Sequence, residues 1–170
     1  MSDKFKAVDV FSIPDNVFKL ISQDWMLITA GGLSAFNTMT ASWGALGELW
    51  NKKVCFCFVR PVRYTYQFTE KHETFSLSFF EEKYRKILNL CGTQSGRDID
   101  KMKGIGLTPL ESPSGSVYFQ EARLVFDCRK IYIHDLEPTN FLDPEIEKEY
   151  PHKDYHRMYI GEILTCLIKS

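Results

Sequence analysis

The chain has 170 residues, close to the size of one ordinary domain, and 44% of them are apolar, so it can form a core without disulfides or metal ions. Its 21 lysines and arginines against 22 aspartates and glutamates leave a net charge of −1, which argues against a nucleic-acid-binding protein. No stretch approaches the roughly 20 apolar residues of a membrane-spanning helix, and the N-terminus lacks the apolar segment of a signal peptide. We therefore predict one domain over residues 1–170, located in the cytoplasm, with no nucleic-acid or membrane partner.

The cysteines and histidines do not form a recognisable metal-binding pattern. The five cysteines are odd in number and include no C-x-x-C pair, so we expect buried free thiols. His152 and His156 are four residues apart, a spacing that would place both on one helix face. Pro151 and the β-rich sequence that follows argue against that helix, so we predict no metal site.

The N-terminal half contains the signals of one short helix and three strands. Apolar residues at helical spacing follow Pro14. Strands are expected over Trp25–Ala30, where Gly31 and Gly32 follow, and over the Thr-rich run Asn37–Trp43. Val54–Val59 is apolar on both faces, which is typical of a central buried strand.

The middle of the chain alternates helical and extended patterns. A short helix is expected over Tyr64–Glu70, and a strand over Thr74–Phe80, where large apolar residues alternate with serines. Glu82–Cys91 carries an apolar stripe and predicts a helix. The Ser-x-x-Asp pattern that begins at Ser95 predicts a further short helix towards Met102.

The C-terminal part is dominated by extended sequence. Tyr118–His134 and Met158–Ile168 are β-branched and aromatic and predict long strands. Between them, Pro138–Pro151 is acidic and proline-rich, so we expect a surface excursion. Many strands at irregular spacing with a few short helices indicate a mainly β protein, a closed or nearly closed antiparallel barrel.

Two segments have the composition of anion-binding sites. After Pro61, Arg63 and Thr65 stand at the start of the predicted helix, where free backbone N–H groups attract phosphate. The alternative is a loop with solvated arginines. Gly92–Arg97 is flanked by glycines and also precedes a predicted helix, although an ordinary helix cap would have the same composition.

A third segment has the composition of a lining for a flat ligand. Asn37–Gly44 offers an amide, hydroxyls and small residues in an extended run, with Trp43 near its end. A flat heteroaromatic ligand needs polar partners for its edge and an aromatic side chain for its face. The alternative is a Thr-rich edge strand.

Four runs taken in order resemble a known family. They are NTMTASWG from Asn37, VRPVRYTY from Val59, TFSLSFF from Thr74 and CGTQSGRDIDK from Cys91. Together they resemble the flavin reductase-like family of FMN-binding split-barrel proteins, and within it the flavoredoxin-type branch, over nearly the whole chain. The resemblance implies a six-stranded Greek-key split β-barrel with a few short peripheral helices. It also implies a homodimer with one FMN per subunit near the dimer interface.

The resemblance also implies which residues surround the FMN. The ring and the ribityl chain would be lined by Asn37, Thr38, Met39, Thr40, Ala41, Ser42 and Trp43. The phosphate end would be contacted by Arg60, Arg63, Tyr64 and Thr65. The strand with Ser76, Leu77, Ser78 and Phe79 would pass beside the flavin, and the turn with Ser95 and Gly96 would close over it.

Two further residues are candidates for the chemistry. Lys53 is a candidate cation near the edge of the flavin ring, where it would stabilise the reduced anion, or else a solvated lysine. His156 precedes Gly161 by five residues, the spacing of the Gly-Asp-His motif of short-chain flavin reductases, whose histidine lies near the nicotinamide. The preceding pair here is Asp154-Tyr155, so we expect Tyr155 to cover the flavin face on which NADH would stack.

Three functions follow from these expectations. The first is an FMN-binding oxidoreductase or electron-transfer protein of flavoredoxin type that receives electrons from a redox partner protein. The second is an NAD(P)H-dependent flavin reductase that supplies reduced flavin. The third, from another class, is a non-catalytic binding barrel without flavin.

Overall fold

The protein is described by a computed structural model over residues 4–170. Its strands are β1 (Phe5–Val8), β2 (Met26–Gly32), β3 (Ala35–Ala41), β4 (Gly44–Leu49), β5 (Lys52–Val59), β6 (Thr74–Phe79), β7 (Pro109–Glu111), β8 (Val117–Phe119), β9 (Leu124–Asp135) and β10 (Arg157–Lys169). Its helices are α1 (Val17–Lys19, continued by a π-helical turn over Leu20–Asp24), α2 (Thr65–Lys71) and α3 (Arg85–Thr93). Short 3-10 turns cover Val10–Ser12, Glu82–Tyr84, Pro138–Asn140 and Pro144–Glu149.

The main sheet is antiparallel and closes nearly into a barrel. Its strand order is β3-β2-β6-β9-β10-β5-β4, with β1 added to β10, while β7 and β8 form a separate hairpin. The sheet therefore has eight strands and not the six that the resemblance implied, because the short strand β1 pairs with β10 and the glycine-containing strand β4 pairs with β5. The two edge strands β3 and β4 follow each other in the chain, joined by Ser42 and Trp43 alone. The sheet must therefore curl until its edges meet, which leaves a seam between them and gives the split β-barrel expected from the sequence.

The core lies in two layers on either side of this sheet. Inside the barrel, Phe75, Leu77 and Phe79 of β6 pack with residues of β2, β5, β9 and β10. The alternation predicted for this strand is confirmed, but Ser76 and Ser78 on the opposite face are buried as well. They lie under the β7–β8 hairpin, where the Ser76 hydroxyl donates to the Val117 carbonyl at 2.5 Å.

Several predicted elements differ from those observed. The helix expected after Ser95 is absent, and residues 95–106 form a series of turns, since the Ser95 hydroxyl accepts the Arg97 N–H at 3.1 Å and competes with helical bonding. The single strand expected over Tyr118–His134 is interrupted between Phe119 and Leu124, because β8 pairs with β7 while β9 pairs with β6 and β10.

The strands next to the seam also differ from expectation. Trp25 has a φ of 66°, so β2 begins one residue later and continues through Gly31, whose φ is 114°. Trp43 lies outside β3, in the connection to β4. Strand β4 was not expected, because its two glycines interrupt the alternation that identifies strands. Within residues 4–170 no helix has the length and apolar character needed to cross a bilayer.

Candidate functional site

The seam of the barrel widens into a cleft of about 180 Å³, which we call the seam cleft. It lies where β3 passes into β4, beside the end of β5 and the coil that leads into β10. Its lining residues are Met39, Thr40, Ala41, Ser42, Trp43, Phe58, Arg60, Arg63 and His156. Three segments far apart in the sequence therefore meet at one site.

The structure brings eight of the residues that the sequence suggested into this cleft, and it adds Phe58. The seam between β3 and β4 places Met39–Trp43 opposite the end of β5. Phe58 is half-buried and lies on the face of β5 opposite Cys57 and Val59, so it points away from the barrel core. The positions of the phenylalanines in VCFCFV, one residue apart from the cysteines, carry this signal, whereas the apolar character of the whole run predicts burial on both faces.

His156 forms the back of the seam cleft between two aromatic rings. Its ring centroid lies 5.3 Å from that of Trp43 and 6.3 Å from that of Phe58. Its Nδ1 is 2.8 Å from the Tyr150 hydroxyl. Burial, with the nearby Arg60 charge, lowers the pKa of His156 to about 4, so the imidazole is neutral at physiological pH.

Tyr155 is not among the residues that line the seam cleft, and its coverage of a flavin face stays a prediction. Its ring packs against Phe141 and Tyr150, and its hydroxyl donates to a Glu147 carboxylate oxygen at 2.8 Å. All these partners lie in the segment between β9 and β10, so Tyr155 stabilises that segment through contacts within it. The adjacent Asp154 faces the other way, towards Arg60.

The two arginines of the cleft differ in whether a carboxylate neutralises their positive charge. Arg60 donates to both carboxylate oxygens of Asp154 at 3.1 Å and to the Glu149 carbonyl at 2.8 Å, so its charge is neutralised locally. Arg63 donates to the carbonyls of Gly92 at 2.7 Å and Cys91 at 3.0 Å, at the end of α3. Among residues 4–170 Arg63 forms no ion pair, and partial burial lowers its pKa.

Lys101 is a buried cation that sequence reasoning missed. It is 5% exposed, and its ammonium group donates to the carbonyls of Thr38 at 2.9 Å and Cys91 at 3.0 Å. Burial lowers its pKa to about 8. Lys101 and Arg63 thus both donate to the Cys91 carbonyl, and the part of the chain that the structure describes supplies Lys101 with no carboxylate partner either. A lysine in a polar turn carries no sequence signal for this position.

A second cavity of about 330 Å³ lies beside the seam cleft, beyond Arg63. Its lining includes Asn37, Thr38, Tyr64, Gly96 and Lys101. A Cβ on Gly96 would lie 2.2 Å from the Asn37 amide and 2.8 Å from the Tyr64 ring, so only glycine lets the turn approach this closely. Gly96 thus lines this second cavity, while Ser95 is not among its lining residues, and the closure of this turn over a flavin stays a prediction.

The backbone N–H groups at the start of α2, which the sequence suggested as donors to a phosphate, already donate to other groups of the protein. With its amide oxygen turned towards Thr65, Asn37 accepts from the Thr65 hydroxyl at 2.6 Å and from its N–H at 3.2 Å. The next two amides of α2, those of Tyr66 and Gln67, donate to the carbonyls of Arg63 and Tyr64. The expected free N–H groups at α2 are thus absent from these positions, and the cations remain as the groups suited to an anion.

Other predicted residues lie away from both cavities. Lys53 pairs with Glu48 and lies 4.6 Å from the Phe11 ring centroid, in an outer cavity of about 340 Å³. Ser76–Phe79 are fully enclosed by the barrel core and the β7–β8 hairpin. Their assignment to a ligand stays a prediction.

Residues 18–170 match the flavin reductase like domain family. The chain belongs to the flavin reductase-like family. No curated protein matches it.

Solved structures share the fold of this flavin reductase-like protein. An FMN-binding domain of a flavin reductases-like enzyme from Shewanella baltica superposes with a TM-score of 0.70 at 16% identity, covering 97% of this chain and 77% of that one. Flavoredoxin from Methanosarcina acetivorans gives 0.66 at 21% identity, with 94% and 75% covered. The NADH:FAD oxidoreductase of Streptomyces globisporus gives 0.64 at 16% identity, with 86% and 80% covered. These similarities support the split-barrel fold.

Proposed function

We propose that this flavin reductase-like protein binds FMN and acts as an oxidoreductase of the flavoredoxin type. Its fold relatives include an FMN-binding domain and flavoredoxins. The observation that carries the proposal is the convergence of two cations on the Cys91 carbonyl: the half-buried Arg63, which lines the seam cleft, and the buried Lys101, which lines the second cavity beside it. Neither has a carboxylate partner among the described residues. A flat ring with a dianionic tail has the complementary shape and charge.

The residues present fit such a ligand. The aromatic faces of Trp43 and Phe58 suit a flat ring, and the Thr40–Ser42 segment offers polar groups at its edge. Withdrawing a cation from water without an anionic partner is costly, so a phosphate that reaches the half-buried Arg63 and the buried Lys101 would be stabilised strongly. Bound FMN supplies the electron-transfer chemistry itself, so the protein contributes binding, orientation and polarity.

The sharpest test compares FMN with riboflavin, which lacks the phosphate. We expect the purified full-length protein to show flavin absorbance and, after flavin removal, to bind FMN more tightly than riboflavin. Lys101→Met should reduce this preference by about tenfold or more, the effect of one charge-assisted hydrogen bond, and leave riboflavin binding nearly unchanged. Lys103→Met is the matched control, because Lys103 lies two residues away and its side chain is 86% exposed.

A second candidate is direct reduction by NADH or NADPH. Two observations favour it: His156 lines the seam cleft, and Tyr155 is not among the lining residues. The replacement of the family's Gly-Asp pair by Asp154 and Tyr155 supports a protein donor instead. Anaerobic mixing with each nucleotide decides, and we expect slow reduction by both but ready reduction by dithionite.

The outcomes of these experiments separate the candidates. Rapid reduction by NADH that is lost in His156→Ala would establish the flavin reductase function. His156→Ala should leave the preference for FMN over riboflavin nearly unchanged, because the proposed phosphate contacts come from Arg63 and Lys101. A protein that binds neither FMN nor riboflavin would be a non-catalytic binding barrel.

A further inference from the structure

The Tyr150–His156 pair lies at the back of the seam cleft and is not explained by flavin binding alone. Tyr150 is 4% exposed and His156 is 8% exposed, and the hydroxyl oxygen lies 2.8 Å from Nδ1. Nδ1 is therefore occupied by Tyr150, so Nε2 is the ring nitrogen left for a ligand in the cleft. Which nitrogen carries the proton decides what the cleft offers to that ligand.

The hydrogen-bond requirements of Tyr150 determine the direction of this bond. If Tyr150 accepted from Nδ1–H, its own O–H would need another acceptor, and none of the residues described provides one. A buried hydroxyl hydrogen without an acceptor is costly. Burial raises the pKa of the Tyr150 hydroxyl, so it keeps its proton and can donate it. The geometry therefore favours Tyr150 as donor and Nδ1 as acceptor, which leaves the imidazole proton on Nε2.

The surroundings hold the pair in place. The Arg60 guanidinium lies 4.8 Å from the Tyr150 ring centroid and is itself held by Asp154. The charged groups near His156 are Arg60, Asp154 and, across the cleft, Arg63. Arg60 opposes a positive charge on the imidazole, while Asp154, which favours it, is already paired with Arg60.

We propose that Tyr150 is a positioning residue that holds His156 as the neutral Nε2–H tautomer, so that the seam cleft presents an uncharged hydrogen-bond donor to a carbonyl oxygen of its ligand. His156 then orients that carbonyl and does not accept a proton from it. The identity of the carbonyl rests on the proposed function, because a flavin and a nicotinamide carboxamide both carry one. The tautomer itself does not depend on it.

The test uses long-range proton–nitrogen NMR correlations of the histidine rings in the purified full-length protein, with the His156 signal assigned by its loss in His156→Gln. We expect the Nε2–H pattern in the wild type. Tyr150→Phe should weaken this tautomer bias and raise the pKa of His156 by about 0.5–1 unit, the effect of losing one neutral hydrogen bond. Tyr155→Phe is the matched control, because the Tyr155 hydroxyl bonds to Glu147 instead, and we expect no change there.

The inference is overturned by an Nδ1–H pattern in the wild type or by Tyr150→Phe spectra that match the wild type. A shift of the Nε2 proton on adding FMN to flavin-free protein would support the flavin carbonyl as partner. A shift that requires nicotinamide added to the flavin-loaded protein would support the carboxamide. No shift with either would overturn the carbonyl partner. An Nε2–H tautomer in a protein without flavin affinity would refute the proposed function but leave the tautomer assignment standing.

Discussion

The Arg63 side chain contacts the end of α3 and also lines the seam cleft. Two of its N–H groups hold the Cys91 and Gly92 carbonyls, and the others remain for a ligand. We expect Arg63→Ala to weaken FMN binding by about 1.5–3 kcal/mol, the range for a hydrogen bond to a charged group, and riboflavin binding by much less. Titration of both ligands measures this, and equal losses would show that Arg63 does not contact the phosphate. Arg60→Ala should reduce the preference for FMN over riboflavin less, because Asp154 neutralises the charge of Arg60.

His156 links the acid stability of the protein to its cleft. Its pKa falls from 6.5 in the unfolded chain to about 4 in the fold, so between these values the unfolded chain binds more protons. The stability is therefore complete above pH 6.5 and is lost as the pH falls towards 4, by about 2–3 kcal/mol. Denaturant unfolding across this range should give a flatter profile for His156→Gln. His134→Gln, at an exposed position on β9, should retain the wild-type profile.

Strand β10 depends on a glycine at the point where it crosses the barrel core. A Cβ on Gly161 would lie 2.5 Å from the Phe75 ring and 3.1 Å from the Cys128 Cβ. We expect Gly161→Ala to lower the free energy of unfolding by about 1–3 kcal/mol through overpacking. Gly47→Ala on β4 is the matched control, since a Cβ there meets no atom within 4 Å, and it should stay within about 0.5 kcal/mol. Equal effects in chemical denaturation would contradict this packing role.

The predictability of each element follows from where its determinants lie. Strands such as β5 and β6 were predictable because their own residues are apolar or alternate. The turns of residues 95–106 were not, because Lys101 is drawn inward by carbonyls of β3 and α3, which are distant in sequence. At the cleft, by contrast, the polar side chains of the Met39–Trp43 segment are themselves a local signal in the sequence. The roles of Lys101 and Tyr150 arise from tertiary contacts and leave no such signal.

At the scale of the whole molecule, an apolar surface continues outward from the seam cleft. A groove of about 620 Å³ runs along α1 and β4, and Ser42 and Trp43 line both the groove and the cleft. Phe18 at its rim is 85% exposed, and the nearby Phe11 is 78% exposed. Exposed apolar surfaces of this kind mark interaction sites. A second copy of the chain on this face would cover the groove and complete the rim of the cleft.

We therefore expect a homodimer with an interface of well over ~2,000 Å² in total. Phe18→Asp should shift the protein to a monomer in light scattering, because a charge would be buried in an apolar contact. Leu142→Asp is the matched control, since Leu142 is 98% exposed on the excursion before β10, and it should leave the mass unchanged. A flavin-containing monomer in the wild type would contradict the dimer.

The free cysteines are all buried, so the rate at which each reacts with a thiol reagent reports how often the structure around it opens. Burial raises the pKa of the Cys91 thiol, so a water-soluble disulfide reagent reacts with it only when the end of α3 opens. Cys57 and Cys128 lie inside the barrel and should react only when the sheet itself opens. The labelling rates of one unmodified protein thus report two opening events separately. Because Arg63 and Lys101 hold the Cys91 carbonyl, an anion bound between them should slow the first event and leave the second unchanged.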